Sequence, residues 1–306
     1  MTIQELLDAS DYILMEAAVI ETLRRFSDLK LHPLIENALL VYEDRGKGTL
    51  FELYQSFIRV AHNVDVPICV CTPTWRANRE RLSMAQITTD VNGDAVEFIK
   101  QVREKWGSWA ANILIGGLLG CKNDCYKPDE GLSVKEAEDF HHWQITRIAK
   151  AGVDFLLAAT LPALPEATGI GLAMAQTNTP YIISFVINKQ GRILDGSTLE
   201  NAFDAIDSIC DRPPLGYMIN CAYPSFLKAH QLPPSALSRI IGYQANASSR
   251  DPSQLDGAET LYADDISDWG NRMIELNQKF GVKILGGCCG TSCDHLRFIV
   301  ENRQGG

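Results

Sequence analysis

Eight short apolar runs recur along this chain. They lie at 12–16 (YILME), 66–72 (VPICVCT), 112–118 (NILIGGL), 153–159 (VDFLLAA), 181–187 (YIISFVI), 215–221 (LGYMINC), 239–244 (RIIGYQ) and 282–287 (VKILGG). Parallel strands buried on both faces read as continuous apolar runs rather than as alternating ones. The gaps between the runs hold helix-length amphipathic segments. Residues 136–150 place Phe140, Trp143, Ile145 and Ile148 at roughly helical spacing and stop at Gly152. Residues 199–210 and 268–280 behave alike, the second stopping at Gly281. The longer gap 17–65 has room for two helices, and 245–267 reads as a polar loop.

Eight strands alternating with helices is the count of a (β/α)8 TIM barrel, an α/β fold. A doubly wound sheet that binds nucleotides would carry a glycine-rich turn after its first strand. Here that position is Glu16-Ala17-Ala18. With no internal repeat, low-complexity tract or linker, the expectation is one barrel domain over 1–306.

Composition narrows the partners. The net charge is -10, from 28 basic and 38 acidic residues, and no basic cluster is present to neutralise phosphates, so no nucleic-acid partner is expected. No apolar run approaches the roughly 18 residues of a membrane span. The first residues lack a basic stretch followed by an apolar one, which predicts a cytoplasmic protein. Nine cysteines, an odd number, in a reducing compartment suggest metal ligands or catalytic groups rather than disulfides.

Barrel active sites lie at the C-terminal ends of the strands. Cysteine recurs there: Cys221 ends the sixth run, and Cys288 and Cys289 follow the eighth. Adjacent side chains on a regular strand point to opposite faces. Both members of the pair can reach one metal only if the backbone turns, which Gly286, Gly287 and Gly290 permit. Three soft sulfur ligands suit zinc and leave its fourth position open, the catalytic pattern. A thiol entering that position would become a thiolate, the nucleophilic form. The alternative is three ordinary buried thiols.

At these residues the chain resembles the homocysteine S-methyltransferase family. Gly286-Gly287-Cys288-Cys289-Gly290-Thr291, followed by Asp294-His295-Leu296-Arg297, is similar to that family's C-terminal signature, and Asn220-Cys221 to its shorter motif. Ala151-Gly152-Val153-Asp154, Leu161-Pro162, Glu166, Asp195-Gly196-Ser197, Tyr243 and Asn246 extend the likeness over most of the chain. The resemblance implies a TIM barrel with zinc on Cys221, Cys288 and Cys289. It also implies methyl transfer from a small-molecule donor to zinc-bound homocysteine, giving methionine. Donors across the family include S-methylmethionine, S-adenosylmethionine, betaine and methyl-folate.

Three departures stand out against that pattern, one of them Thr72-Pro73-Thr74-Trp75 in place of a Thr-Asn-Thr-Tyr-like stretch. Glu16-Ala17-Ala18 replaces the family's Asp-Gly-Gly, and Ala159-Thr160 replaces Glu-Thr, whose Glu binds the amino group of homocysteine. Among the strand-end residues, Glu16, Thr72, Thr160 and Asn220 are expected to line the substrate site. Glu16 is either a partner for the substrate amine or the partner of a nearby Arg or Lys. Cys69 and Cys71 share a face and are expected to pack. Cys121 and Cys125, four apart, read as loop residues in preference to a redox pair or an auxiliary ligand set, Trp75 as a packed aromatic in preference to a pocket wall, His141 and His142 as surface or helix-packing residues, and His295 as structural rather than a ligand. The same zinc-thiolate chemistry on a different thiol or methylated compound, and a non-catalytic zinc or thiol-redox protein, are the competing functions.

Overall fold

The protein is described from a computed structural model, over residues 1–251 and 262–303. Eight strands form a closed, all-parallel barrel in sequence order. They are β1 (Ile13–Met15), β2 (Ile68–Cys71), β3 (Ile113–Leu119), β4 (Phe155–Leu161), β5 (Tyr181–Phe185), β6 (Gly216–Ala222), β7 (Ile240–Ala245) and β8 (Ile284–Gly287). Closure runs through β1 and β8, where Ile13 pairs with Ile284 and Leu14 with Leu285. Each strand falls in one of the eight apolar runs, trimmed or extended by a few residues.

Alternation along the strands divides the core in two. Ile13, Met15, Cys69, Cys71, Leu114, Phe155, Leu157, Ala159, Ile182, Met218 and Ile284 form one buried cluster, which fills the barrel. Their neighbours Leu14, Ile68, Val70, Ile113, Ile115, Leu156 and Ala158 belong to a second cluster, shared with the surrounding helices. Cys69 and Cys71 are thus packing residues of the interior. Ile3, Leu6 and Leu7 of the first helix (Ile3–Ala9) join the inner cluster, so this helix plugs one end of the barrel. The other end holds the site.

The helix expected at 136–150 spans Val134–Ala151. Glu136 accepts hydrogen bonds from the backbone N–H and hydroxyl of Ser133 at its start, and Gly152 ends it in the left-handed conformation. Its buried stripe is Ala137, His141, Gln144, Ile145 and Ile148, so two polar residues point inward. Gln144 donates to the Thr74 carbonyl at 2.8 Å. His141 meets the Glu166 carboxylate at 3.0 Å. Glu166 in turn accepts the Lys122 N–H at 2.8 Å and so ties the loop after β3 to the barrel. Segment 17–65 holds α-helices at Ile20–Arg24 and Asp44–His62, with a 3-10 turn at Asn37–Tyr42 between them. Of the loop expected at 245–267, residues 252–261 lie outside the described residues, and the next helix starts at Ile266. Among the described residues, no helix is long and apolar enough to cross a membrane.

Candidate metal centre

Cys221, Cys288 and Cys289 converge at the barrel mouth, with their Sγ atoms all within 4.8 Å of one another. They are the one such group of three potential ligands among the described residues. Cys221 is buried, whereas Cys288 and Cys289 are partly exposed, so the cluster is closed from below and open from the mouth.

The backbone departs from strand geometry at each contributor. After β8 the chain turns sharply. The Cys288 N–H donates to the Ala245 carbonyl at 2.7 Å, and the Cys289 carbonyl accepts the Ala247 N–H at 2.9 Å. Gly290 is left-handed, with φ of 83°, and its N–H bonds the Glu21 carboxylate. A Cβ on Gly287 would come within 2.1 Å of the Thr291 hydroxyl, which itself donates to the Cys288 carbonyl at 2.6 Å. The glycine frame therefore does what the doubled cysteine requires: it swings both sulfurs to one side.

On β6 the device is different. Cys221 has φ of 53°, and the β6–β7 register shifts between Asn220 and Ala222. A matching irregularity sits on β4, where Thr160 has φ of 61° and the β4–β5 register shifts between Ala158 and Leu161. Neither residue is glycine, and Thr160 is β-branched, so each conformation costs about 1–3 kcal/mol that the surroundings must supply. Such strain collects at functional sites.

The three thiols lie within hydrogen-bonding reach of one another. Bonding to Cys288 and Cys289, with burial added, pushes the Cys221 thiol up. Hydrogen bonds from Cys221 and Cys288 hold the Cys289 thiol well below its ordinary value, and the Arg24 charge acts in the same direction.

The four residues expected to line the substrate site fall into two groups. Glu16 is buried beside the turn, its carbonyl accepting the Gly287 N–H at 3.1 Å. Its carboxylate accepts the Cys71 N–H at 2.7 Å, and it pairs with no Arg, Lys or His among the described residues. Burial pushes it up to about 8 against the opposing pull of that hydrogen bond. Thr72, Thr160 and Asn220 are instead committed to the protein. The Thr72 hydroxyl accepts the Leu118 N–H at 3.0 Å and pairs with the Thr74 hydroxyl at 2.7 Å, fastening β2 to β3. Thr160 and Asn220 bond each other.

Around the cluster lie groups of more local interest. Ala159 is buried on the inner face, with no polar atom to offer. Trp75 packs its indole against Gly120, where a Cβ would approach Nε1 to 2.3 Å. Arg76 stacks over that ring at 4.1 Å and donates to the carbonyls of Cys121 and Asn123. Cys121 and Cys125 are buried in the same loop but stand outside the three-sulfur group. His295 packs edge-on to Trp269 and belongs to the cap of the last helix (Cys293–Asn302), a structural place. Two neighbours of the cluster are not foreshadowed by the sequence: Ser184, whose hydroxyl donates to Asn220 Oδ1 at 2.7 Å, and Tyr126, whose buried phenol is pushed up by burial and by the nearby sulfurs of Cys221 and Cys289. A single serine inside the run YIISFVI was the available signal for the first. For Tyr126 the sequence carries none.

Comparison with known proteins accords with this geometry. A model of the homocysteine S-methyltransferase family matches residues 13–302. A selenocysteine methyltransferase of Astragalus bisulcatus is 25% identical over 224 residues, 69% of this chain and 62% of that protein. A homocysteine S-methyltransferase of Bacillus subtilis is 26% identical over 57% of this chain and 55% of that protein. The chain thus spans somewhat over half the length of these two relatives. The metallated form of a homocysteine methyltransferase from Escherichia coli has the same fold, with a TM-score of 0.76 at 19% identity, covering 97% of this chain and 98% of that one. With a family match running almost from end to end, the chain belongs to the homocysteine S-methyltransferase family.

Proposed function

We propose that this chain is a zinc-dependent S-methyltransferase that alkylates a small thiol. Cys221, Cys288 and Cys289 would be the metal ligands and homocysteine the leading acceptor. The observation that carries the reading is the three-sulfur cluster at the open end of the barrel. The donor set fits zinc. Bonds of about 2.3 Å in a tetrahedral site separate the sulfurs by about 3.8 Å, inside the 4.8 Å span of this group. Three thiolates held so closely need a cation, and the partly exposed side of Cys288 and Cys289 leaves room for a fourth sulfur. When bound, zinc would supply the charge that keeps an incoming thiol in its nucleophilic thiolate form.

The chain's own part is to hold and orient. The glycine turn presents Cys288 and Cys289, and the β6 bulge presents Cys221. Glu16, buried and without a cationic partner among the described residues, is the group suited to a substrate ammonium. In the transfer the acceptor thiol loses its proton, a sulfur–methyl bond forms, and the methyl bond to the sulfonium or ammonium donor breaks. A second reading keeps the chemistry and changes the acceptor. Ala159 removes a carboxylate that the family usually directs at the homocysteine amine, and this favours a related thiol or selenol. We take the whole barrel as the working domain, and a soluble, cytoplasmic enzyme with small-molecule partners as the context.

The test is metal content on reduced protein, followed by X-ray absorption at the zinc edge during a homocysteine titration. One zinc per chain on three sulfurs, rising to four, is the expected result. Zinc that stays at three sulfurs would move the search to another acceptor, and absence of zinc would overturn the reading.

A further inference from the structure

We propose that Asn220 and Thr160 are positioning residues of the sulfur cluster, forming an amide–hydroxyl clamp that spans three strands and donates hydrogen bonds to Cys221 Sγ. This rests on the three cysteines being metal ligands. It departs from the expectation that both residues touch substrate.

The Asn220 side chain is saturated. Its Oδ1 accepts the Thr160 N–H at 2.9 Å and the Ser184 hydroxyl at 2.7 Å. Its Nδ2 donates to Thr160 Oγ1 at 2.6 Å and to Cys221 Sγ at 3.4 Å. An asparagine amide offers two donors and two acceptor positions, and all four are used. The amide orientation follows from its partners, because the Thr160 N–H can only donate. The amide therefore ties β6 to β5 through Ser184 and to β4 through Thr160, at the very residues where β4 and β6 leave strand geometry.

The direction of the Thr160 hydroxyl follows as well. Its oxygen is taken as acceptor by Asn220 Nδ2, which leaves its hydrogen to donate, and Cys221 Sγ lies 3.8 Å away. Cys221 Sγ thus faces two donors. No side-chain amide or hydroxyl is bonded to the sulfur of Cys288 or Cys289 among the described residues. The three ligands are consequently unequal. Hydrogen bonds to a thiolate draw charge from it, so Cys221 would give less charge to a bound metal than its two partners. The clamp also fixes the left-handed backbone that aims this sulfur at the others.

Cobalt(II) loading of the reduced full-length chain tests this, with the metal alone as the probe. The thiolate-to-cobalt absorption band reports charge on the sulfurs, and competition with a chelator reports affinity. Thr160→Val and Asn220→Ala are expected to move the band to lower energy and weaken cobalt binding by about tenfold or more, the usual scale for losing a partner of a metal ligand. Thr160→Ser, which keeps the hydroxyl, is expected to restore both. Should Asn220→Ala fail to fold, the Val and Ser pair at Thr160 decides. Folded Thr160→Val with an unchanged band and affinity would overturn the proposal, all the more if homocysteine binding alone weakened. A wild-type chain that binds no cobalt through three thiolates would overturn the metal reading itself, a separate failure.

Discussion

The β4–β6 side of the barrel mouth and its β1 side are furnished in opposite ways. On the first, Asn220 spends every hydrogen-bonding position on Thr160, Ser184 and Cys221. On the second, Glu16 is also buried, yet among the described residues its carboxylate holds one backbone N–H and no cation. Ala159, on the inner face of β4, offers no polar side-chain atom. A completed network needs no ligand to satisfy it, whereas a buried carboxyl without a cation is poised for one. The contrast separates two tasks. On the function proposed above, the sulfur side would handle the thiol and the Glu16 side would determine which thiol is accepted.

The largest effects belong to the sulfur side. Cys288→Ala or Cys289→Ala is expected to remove most of the bound zinc and all measurable methyl transfer, read by metal analysis and product formation. Full zinc occupancy in both variants would sink the three-cysteine site. It would also erase the contrast, since neither side would then be dedicated to metal.

Glu16→Gln comes next. A hydrogen bond to a charged group is worth about 1.5–3 kcal/mol, so kcat/KM for an amine-bearing thiol should fall roughly ten- to a hundredfold, with zinc content unchanged. The pH dependence carries its own sign. Burial pushes Glu16 up to about 8, and only its charged form would pair with an ammonium. The advantage of the wild type over Glu16→Gln should grow as pH rises toward 8 and level off above it. Stability runs the other way. The folded carboxyl is raised above its ordinary 4.5, so its contribution is fully present below that value and is lost as pH rises through about 8. Denaturant unfolding of the two proteins across this window should show the wild type losing stability relative to Glu16→Gln as pH rises; a constant offset would mean that Glu16 is ionised in the fold throughout.

The two sides were also unequally legible in the sequence. The barrel could be read because parallel strands buried on both faces leave continuous apolar runs, and Cys288-Cys289 because a doubled cysteine in a glycine frame has few other uses. The conformations of Thr160 and Cys221 left no trace. Glycine would have announced a left-handed backbone, but here that geometry is imposed by the Asn220 amide from across β5. Asn220 itself was visible as a motif residue, while its role was not, because saturation by Thr160 and Ser184 is a tertiary fact. The stripe of the helix Val134–Ala151 was half legible for a similar reason: Ile145 and Ile148 are buried as expected, whereas Phe140 and Trp143 are only partly so. His141 and Gln144 are inward, paired with Glu166 and Thr74, and periodicity of apolar residues passes over polar ones that find partners inside.

Ala159→Glu is the smallest of these changes and the one that most sharpens the comparison. The residue lies on the inner face of β4, buried, one position before Thr160. A carboxylate there would be the second acid facing a bound amine, and without that amine it would be a buried charge lacking a partner. Two consequences follow together. The free protein should lose stability, and homocysteine should recover part of it by binding. The ratio of kcat/KM for homocysteine over 4-mercaptobutyrate, the same thiol without its amino group, should rise about tenfold, near the lower end of the value of a charged hydrogen bond. Using the ratio cancels any general damage to the site, because both thiols would meet the same metal and the same Cys221. A destabilised variant whose ratio does not move would place the ammonium elsewhere, leaving Glu16 as its sole carboxylate and making this mouth specific by a different wall from its relatives.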